Sequence, residues 1–180
     1  QGPCERLVGD RPAAVVAVGL ADGRLRALVH PGLAARPTPP GSVFKLVTAL
    51  AALKVGAAPP GATLACRGWL RVPRAGVVRC WKPEGHGPLG LEGALAASCN
   101  LYFVQLGRRV GPGALRQAAA TCGLRGPVDL RDERVAIGEG PGWLATPLQV
   151  AGLARSLATG EPARVPTWSD ASHQGGPVSM

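Results

Sequence analysis

The spacing of hydrophobic and polar positions predicts strands early in the chain and a buried helix after them. Residues 13–20 are apolar and β-branched, Asp22-Gly23 marks a turn, and residues 24–30 alternate between apolar and polar side chains. An Asp-Gly turn between two such runs predicts a β-hairpin. Residues 42–54 form an almost unbroken apolar run between two Pro/Gly turns, which predicts a buried helix.

The remaining pattern predicts short helices separated by clear breaks. Helices are predicted over residues 89–97, 101–110 and 114–122, and Thr146-Pro147 supplies an N-cap and a first-turn proline for a helix that runs to Leu157. Residues 62–90 are expected to form loops with at most a small hairpin, and residues 123–145 to be irregular. The predicted organisation is a linker or tail over 1–12, a domain over 13–160, and an irregular or disordered tail over 161–180.

Composition limits the class of protein and the kind of partner. The chain has 180 residues, 46% of them hydrophobic and only 4% aromatic, so one domain with a core of Ala, Leu and Val is expected. The net charge is +9, but only three of the 20 basic residues are lysines and no dense basic run occurs. We therefore expect a solvated basic surface and no nucleic-acid partner.

The five cysteines are too dispersed to suggest a local metal site. They stand at Cys4, Cys66, Cys80, Cys99 and Cys122. No Cys-x-x-Cys pair occurs and the spacing matches no zinc motif, so we expect no metal and no cofactor. Cys66 and Cys80 flank a short segment. They could form a disulfide, or they could be two separate buried thiols, and the sequence favours neither alternative. The odd total leaves at least one thiol free.

Ser42 and Lys45 form the first candidate for chemistry. They lie three residues apart at the start of the apolar helix, so their side chains share one helix face. Burial lowers the pKa of a lysine, and a neutral amine can act as the base that activates a hydroxyl. The plainer alternative is a helix-capping serine beside a surface lysine.

Ser98 and Asn100 form the second candidate, in the break between two predicted helices. Side chains at such a break can point into a cleft, where Ser98 could relay a proton and Asn100 could bind a substrate amide through both its donor and its acceptor. An ordinary turn is the alternative. Both patterns together are expected by chance in roughly one sequence in three hundred, which favours the functional interpretation.

Several stretches resemble one protein family. Residues 40–45, Pro-Gly-Ser-Val-Phe-Lys, resemble the P-G-S-x-F-K motif of the penicillin-binding protein transpeptidases, which share a serine acyl-transferase fold with β-lactamases. Residues 13–31, 85–103 and 136–151 resemble further segments of that family in the same order. The Cys-Trp-Lys at residues 80–82 is most similar to the elongation-type monofunctional members. The resemblance covers about residues 13–165.

The resemblance implies a fold and a set of roles. The fold would be α/β of the penicillin-binding-protein and β-lactamase type, but incomplete, with an N-terminal β-hairpin, a helical subdomain, and the C-terminal sheet strands missing. Ser42 would be the acylated nucleophile and Lys45 its base. Ser98 would shuttle a proton to the leaving amine, and Asn100 would bind the substrate peptide. The Ser42 backbone N–H would form half of an oxyanion hole.

The implied function is a peptidoglycan D,D-transpeptidase or carboxypeptidase that binds stem peptides and β-lactams, with cell-wall synthesis proteins as further partners. It would act at the extracytoplasmic face of the bacterial inner membrane, with its anchor outside this chain. The family's third motif, K-T-G, is absent, because no lysine follows Lys82. We therefore expect impaired activity, and a non-catalytic scaffold in cell-wall synthesis is the alternative.

Overall fold

The computed structural model describes residues 2–124, 131–140 and 143–168. The described helices are α1 (Gly2–Val8), α2 (Pro31–Ala34), α3 (Phe44–Lys54), α4 (Leu91–Ala96), α5 (Asn100–Thr121) and α6 (Pro147–Thr159). The described strands are β1 (Val15–Val18), β2 (Leu25–Val29), β3 (Leu64–Cys66), β4 (Trp69–Val72), β5 (Gly76–Arg79) and β6 (Gly87–Leu89). Short 3-10 helices span Gly41–Val43 and Glu133–Ile137.

The described residues form two compact units. The first, called the hairpin unit, comprises residues 2–37, 122–124 and 145–168, and the second, called the motif unit, comprises residues 38–121, 131–140 and 143–144. The contacts thus divide residues 13–160, which the sequence analysis treated as one domain. The domain boundaries given above remain predictions.

The hairpin unit contains the predicted β-hairpin. β1 and β2 pair antiparallel, with Val15 opposite Val29 and an irregularity between Ala17 and Val18. Leu25, Ala27 and Val29 are buried, whereas the residues between them are more exposed, as a half-buried strand requires. Helix α6 packs against β1. The alternating pattern in the sequence therefore predicted this element correctly.

Of the two segments expected to be tails, the first contains a helix, whereas the described part of the second is irregular apart from one bridge to the hairpin. Residues 2–8 form α1, which contacts β2 and buries Val8. The backbone N–H of Leu25 donates to Thr167 O at 3.1 Å, so the chain after α6 lies along β2. This bond uses a backbone group at the edge of β2, a contact that the polar composition of the segment did not indicate. Residues 169–180 of the predicted tail lie outside the described residues.

Helix α6 begins as the sequence predicted and ends at Thr159, two residues beyond the predicted end at Leu157. The Thr146 hydroxyl accepts from the Gln149 N–H at 3.1 Å, and Gln149 Oε1 accepts from the Thr146 N–H at 2.8 Å, which completes a capping box. Pro147 occupies the first turn, and Gly160 terminates the helix in the left-handed conformation.

The motif unit is built on α3 and α5. Helix α3 packs against α5 and against the 3-10 helix Glu133–Ile137. The two helices predicted over 101–110 and 114–122 are both present within α5 and meet at a kink at Gly111, whose φ of 78° is not helical. Pro112 follows directly and has no N–H to continue the helical hydrogen bonds, which accounts for the break.

Residues 62–90 contain more strand structure than the sequence predicted. β3 pairs with β6, and β4 pairs with β5, both antiparallel. Gly85 lies so close to β3 that a Cβ there would be 2.2 Å from Cys66 O. Strands of three or four residues are too short to show a period of two, so a single small hairpin was all that the pattern indicated.

The segment after Asp132 braces the turn that carries Ser42. The Gly41 N–H donates to Gly138 O at 3.1 Å, and the buried Thr48 hydroxyl donates to Ala136 O at 2.8 Å. Gly138 has a φ of 72°, and a Cβ there would be 2.1 Å from Gly41 O. Only glycine fits this position, since both its conformation and its contact exclude a side chain.

We predict that Gly138→Ala lowers the free energy of unfolding more than Gly56→Ala does. Both positions have positive φ, which costs about 1–2 kcal/mol for alanine, but no atom lies within 4 Å of a Cβ at Gly56. The difference between the variants measures the contact with Gly41, and urea unfolding gives both values. Equal losses would show that the bracing contact is unimportant.

Candidate active site

Ser42 lies on the 3-10 turn Gly41–Val43, immediately before α3. Its side chain is exposed, so a substrate can reach it. Gly41 has a φ of 58°, which lets the chain turn sharply into the helix. Lys45, one turn later, is only 2% exposed. The predicted buried lysine beside an accessible serine is therefore present.

The Lys45 amine is surrounded by the predicted site residues. Its Nζ lies 3.0 Å from Ser42 Oγ, 2.9 Å from Ser98 Oγ, 2.8 Å from Ser98 O and 2.6 Å from Asn100 Oδ1. A lysine ammonium has only three N–H donors, so four acceptors compete for them. The structure thus brings the three other predicted residues to the Lys45 nitrogen, although the four residues come from two segments more than 50 residues apart.

Burial of the ammonium lowers the pKa of Lys45 from its ordinary value of 10.5. Electrostatic interactions with Cys80, Cys99 and Glu139 act in the opposite direction, but desolvation is the larger cause. A lysine with a lowered pKa carries its neutral form at lower pH. That neutral amine is the form that can take a proton from a neighbouring hydroxyl.

The break between α4 and α5 positions Ser98 and Asn100. Ser98 has a φ of 47°, an uncommon conformation for a residue with a side chain, and it presents its carbonyl and its hydroxyl to the same amine. The Asn100 amide donates from Nδ2 to Arg79 O at 3.3 Å and accepts from Lys45 at Oδ1. This second contact fixes which way the Asn100 amide faces.

Trp143 supports the site in a way that the sequence analysis missed. Its ring centroid lies 5.1 Å from that of Phe44, with the planes inclined at 31°. Phe44 stands between the predicted nucleophile and its base, and both rings are almost fully buried. The only available signal was the scarcity of aromatic residues, which makes each one a candidate for core packing.

A second cluster lies beside the site and was also missed. It comprises Cys66, Cys80, Cys99 and His86 and is called the cysteine–histidine cluster below. The sulfur atoms and a ring nitrogen all lie within 4.8 Å of one another. The three thiols are free and buried, so the disulfide considered for Cys66 and Cys80 is not formed, and the alternative of buried thiols is correct.

We expected no metal because the spacing of the cysteines along the sequence matches no zinc motif. In the structure, three of these cysteines meet a histidine although they are distant in sequence, so that reason no longer applies. The cluster collects its members from β3, the end of β5, the loop before β6 and the break before α5. The zinc motifs that can be identified from sequence have closely spaced pairs of ligands, and this cluster has none. These four side chains are the described residues that can hold a metal ion.

The thiols of the cluster differ in their surroundings. Burial raises the pKa of the Cys99 thiol to about 12. Burial also acts to raise the pKa of Cys80, but hydrogen bonds from the backbone N–H groups of Lys82, Asn100 and Leu101 and from the Cys66 thiol together outweigh it and lower that pKa. The Cys80 sulfur therefore lies where backbone donors stabilise a thiolate.

The chain belongs to the penicillin-binding protein transpeptidase family. The family model for the penicillin binding protein transpeptidase domain matches residues 19–174. The segments identified above by resemblance fall within this match or directly before it.

Curated relatives are peptidoglycan D,D-transpeptidases. PbpA of Mycobacterium tuberculosis is 39% identical over 95 residues, which are 49% of this chain and 19% of the relative. MrdA of Acinetobacter baumannii is 29% identical over 108 residues, which are 58% of this chain and 16% of the relative. These matches thus span less than a fifth of the length of each relative.

Solved structures confirm the predicted fold class. PBP2 of Helicobacter pylori, solved in complex with MreC, superposes with a TM-score of 0.80 at 21% identity over 97% of this chain and 43% of that one. PBPA of Mycobacterium tuberculosis gives a TM-score of 0.73 at 26% identity over 86% and 48%. The likeness to PbpA, MrdA and PBP2 fits the elongation-type class. Among the described helices, none is long and apolar enough to cross a membrane.

We predict that the Lys45 amine releases its proton below the ordinary lysine pKa of 10.5, because its burial penalises the charged form. The measurement is an NMR titration of the side-chain nitrogen resonances, with the Lys45 signal assigned by its loss in Lys45→Met. A Lys45 resonance that titrates at the ordinary value would contradict the structural account of a desolvated amine.

Proposed function

We propose that the protein is a peptidoglycan D,D-transpeptidase that acts through an acyl intermediate on Ser42. The observation that carries this proposal is the convergence of Ser42 Oγ, Ser98 Oγ and Asn100 Oδ1 on Lys45 Nζ, each within 3.0 Å. An accessible hydroxyl beside a desolvated amine is the arrangement that nucleophilic catalysis by serine requires.

In the first half-reaction the neutral Lys45 amine takes the proton of Ser42 as Oγ attacks the carbonyl carbon of a D,D-peptide bond. A new C–O bond forms and the carbonyl oxygen gains negative charge. When the tetrahedral intermediate collapses, the C–N bond breaks and the leaving amine receives a proton. Ser98 lies 2.9 Å from Lys45 Nζ and can pass that proton from lysine to the amine.

In the second half-reaction an amine from a neighbouring stem peptide attacks the Ser42 ester and forms a new amide bond. The attacking amine gives up a proton, which returns to Ser42 as its oxygen leaves. Water in place of the amine would give carboxypeptidase activity through the same steps. Asn100, with its amide oriented by Arg79 O, is proposed to bind the peptide backbone of the substrate.

The oxyanion hole is proposed to use the Ser42 backbone N–H at the start of α3, where the helix dipole favours negative charge. In the family the second donor comes from the K-T-G strand, and no lysine follows Lys82 in this chain. Loss of one such donor costs about 10²–10³ in rate. We therefore expect these 180 residues alone to be acylated slowly or not at all.

Complexes of related proteins support the proposed ligands and partners. PBPA of Mycobacterium tuberculosis has been solved as a penicillin G acyl-enzyme complex, and PBP2 of Helicobacter pylori in complex with MreC. We propose β-lactams and peptidoglycan stem peptides as ligands here, and cell-wall synthesis proteins as partners. The proposed location is the extracytoplasmic face of the bacterial inner membrane.

The second candidate function is a non-catalytic scaffold in cell-wall synthesis. These 180 residues by themselves hold only one of the two donors of the proposed oxyanion hole, as such a scaffold could. The two candidates differ in one respect that can be measured, which is whether a β-lactam acylates the protein.

We predict that the protein expressed from its whole natural reading frame gains the mass of one penicillin on incubation with the drug, because Ser42 opens the strained lactam. Intact-mass spectrometry measures the adduct. Ser42→Ala is expected to abolish it. Ser156→Ala is the matched control and should keep the adduct. Ser156 lies on α6, and its hydroxyl donates to Glu161 O. An adduct that persists in Ser42→Ala would contradict the assignment, and absence of any adduct would favour the scaffold.

We predict that Lys45→Met slows acylation about 10²–10⁴-fold, the usual contribution of a positioned general base. In the unsubstituted protein only the neutral amine can accept the proton, so the rate should rise with pH through the lowered pKa of Lys45. The variant should lose that rise. Stopped-flow fluorescence with a labelled penicillin gives both profiles, and an unchanged profile would show that Lys45 is not the base.

A further inference from the structure

We propose that the Glu139 carboxylate binds the amine of the acceptor stem peptide and so favours transfer of the acyl group to an amine over transfer to water. This inference rests on the proposed function, because it assigns a residue to the second half-reaction. It makes Glu139 a specificity-determining residue of the site that contains Ser42.

The backbone contact between Gly41 and Gly138 places Glu139 beside the proposed nucleophile. The Gly41 N–H donates to Gly138 O at 3.1 Å, and a Cβ at Gly138 would be 2.1 Å from Gly41 O. Ser42 follows the first of these glycines, and Glu139 follows the second. The carboxylate therefore belongs to the segment that packs directly against the turn that carries Ser42.

Backbone hydrogen bonds fix the segment that carries Glu139. The Glu139 N–H donates to Arg134 O at 3.1 Å, and the Gly138 N–H donates to Val135 O at 3.0 Å. A side chain on a fixed backbone can select a ligand group more precisely than one on a loose loop. Glu139 is thus suited to hold one group of a substrate in a defined place.

The Glu139 side chain is exposed, but its charge acts within the site. The carboxylate acts to raise the pKa of Lys45, a residue that is only 2% exposed. Lys45 Nζ lies 3.0 Å from Ser42 Oγ. A carboxylate that acts on this buried amine therefore also acts on a cation that approaches Ser42.

Within the described residues, no ion pair uses the Glu139 carboxylate. The ion pairs there use four other carboxylates, those of Asp22, Glu84, Asp132 and Glu161. Arg134 also interacts electrostatically with Glu139, but its guanidinium is bonded to Asp132 through Nε and Nη2. The Glu139 carboxylate can therefore pair with a cationic ligand.

The acceptor of the second half-reaction is the cation that this arrangement suits. The ordinary pKa is about 7.7–8.0 for an α-amino group and about 10.4 for a lysine-type amine, so either group arrives mainly as an ammonium at neutral pH. The chain carries a net charge of +9, which repels such a cation. A carboxylate beside Ser42 raises the local concentration of the acceptor, whereas uncharged water gains nothing from it.

The transfer itself balances without a further reactant. The bound ammonium releases one proton to solvent, and the neutral amine attacks the carbonyl carbon of the Ser42 ester. As the C–N bond forms, the nitrogen gains positive charge, which the Glu139 carboxylate stabilises. The bond to Ser42 Oγ then breaks, and the second proton of the amine returns to that oxygen through Lys45. Glu139 keeps its charge throughout.

The test compares two acceptors on the protein expressed from its whole natural reading frame and acylated by a D-alanyl thioester. D-Alaninamide carries an ammonium group at neutral pH, whereas hydroxylamine is uncharged there. Chromatography measures the amide, hydroxamate and acid products at each acceptor concentration. We expect Glu139→Gln to raise the KM for D-alaninamide about tenfold, the usual effect of one hydrogen bond to a charged group, and to leave the KM for hydroxylamine unchanged.

Two further variants separate the effect of charge from that of structure. Glu92→Gln removes an exposed carboxylate in the first turn of α4, also in the motif unit, and should leave both KM values unchanged. Glu139→Asp keeps the charge and should keep most of the affinity for D-alaninamide.

The unsubstituted protein gives an independent measurement. Salt screens an exposed ion pair, so the KM for D-alaninamide should rise with ionic strength and the KM for hydroxylamine should not. This comparison decides the question even if Glu139→Gln does not fold.

Three results would overturn the inference. They are equal changes for the two acceptors in Glu139→Gln, an unchanged KM for D-alaninamide in that variant, and a KM for D-alaninamide that does not depend on salt. Release of the thiol measures acylation of Ser42 in the same experiment. Acylation without discrimination between the acceptors would refute the role of Glu139 and leave the proposed function standing, whereas a protein that is never acylated would refute both.

Discussion

The burial of one lysine amine is the constraint on which the rest of the motif unit depends. Lys45 Nζ lies among oxygen atoms of Ser42, Ser98 and Asn100, and no single helix or loop supplies all of these oxygen atoms. Helix α3 brings the serine and the lysine, and the break between α4 and α5 brings the others. Burying the amine costs desolvation energy, and the packing of α3 against α5 must offset that cost.

The same packing gives the amine its chemical character. An exposed lysine would stay protonated at neutral pH, whereas burial lowers the pKa of Lys45. The supports behind this arrangement are backbone contacts, chiefly the approach of Gly138 to Gly41 and the bond from Thr48 to Ala136 O. These contacts explain why residues distant in sequence matter to a serine and a lysine that lie on one helix turn.

Sequence patterns predicted those parts of the structure that depend on local spacing. Ser42 and Lys45 lie on one helix face because of the helical period, and Thr146 and Pro147 mark the start of α6. The pairing of β3 with β6 could not be predicted, because strands of three residues carry no visible period. The cysteine–histidine cluster was missed for a related reason, since its four members come from separate segments and meet only after the chain folds.

The central claim is that Ser42 is the nucleophile and that Lys45, Ser98 and Asn100 are arranged to serve it. The most direct test is to map the covalent site on protein treated with penicillin, by proteolysis and tandem mass spectrometry. The account predicts that the drug is esterified to Ser42 alone. Label on Ser98, on a cysteine of the cluster, or on no residue would contradict it.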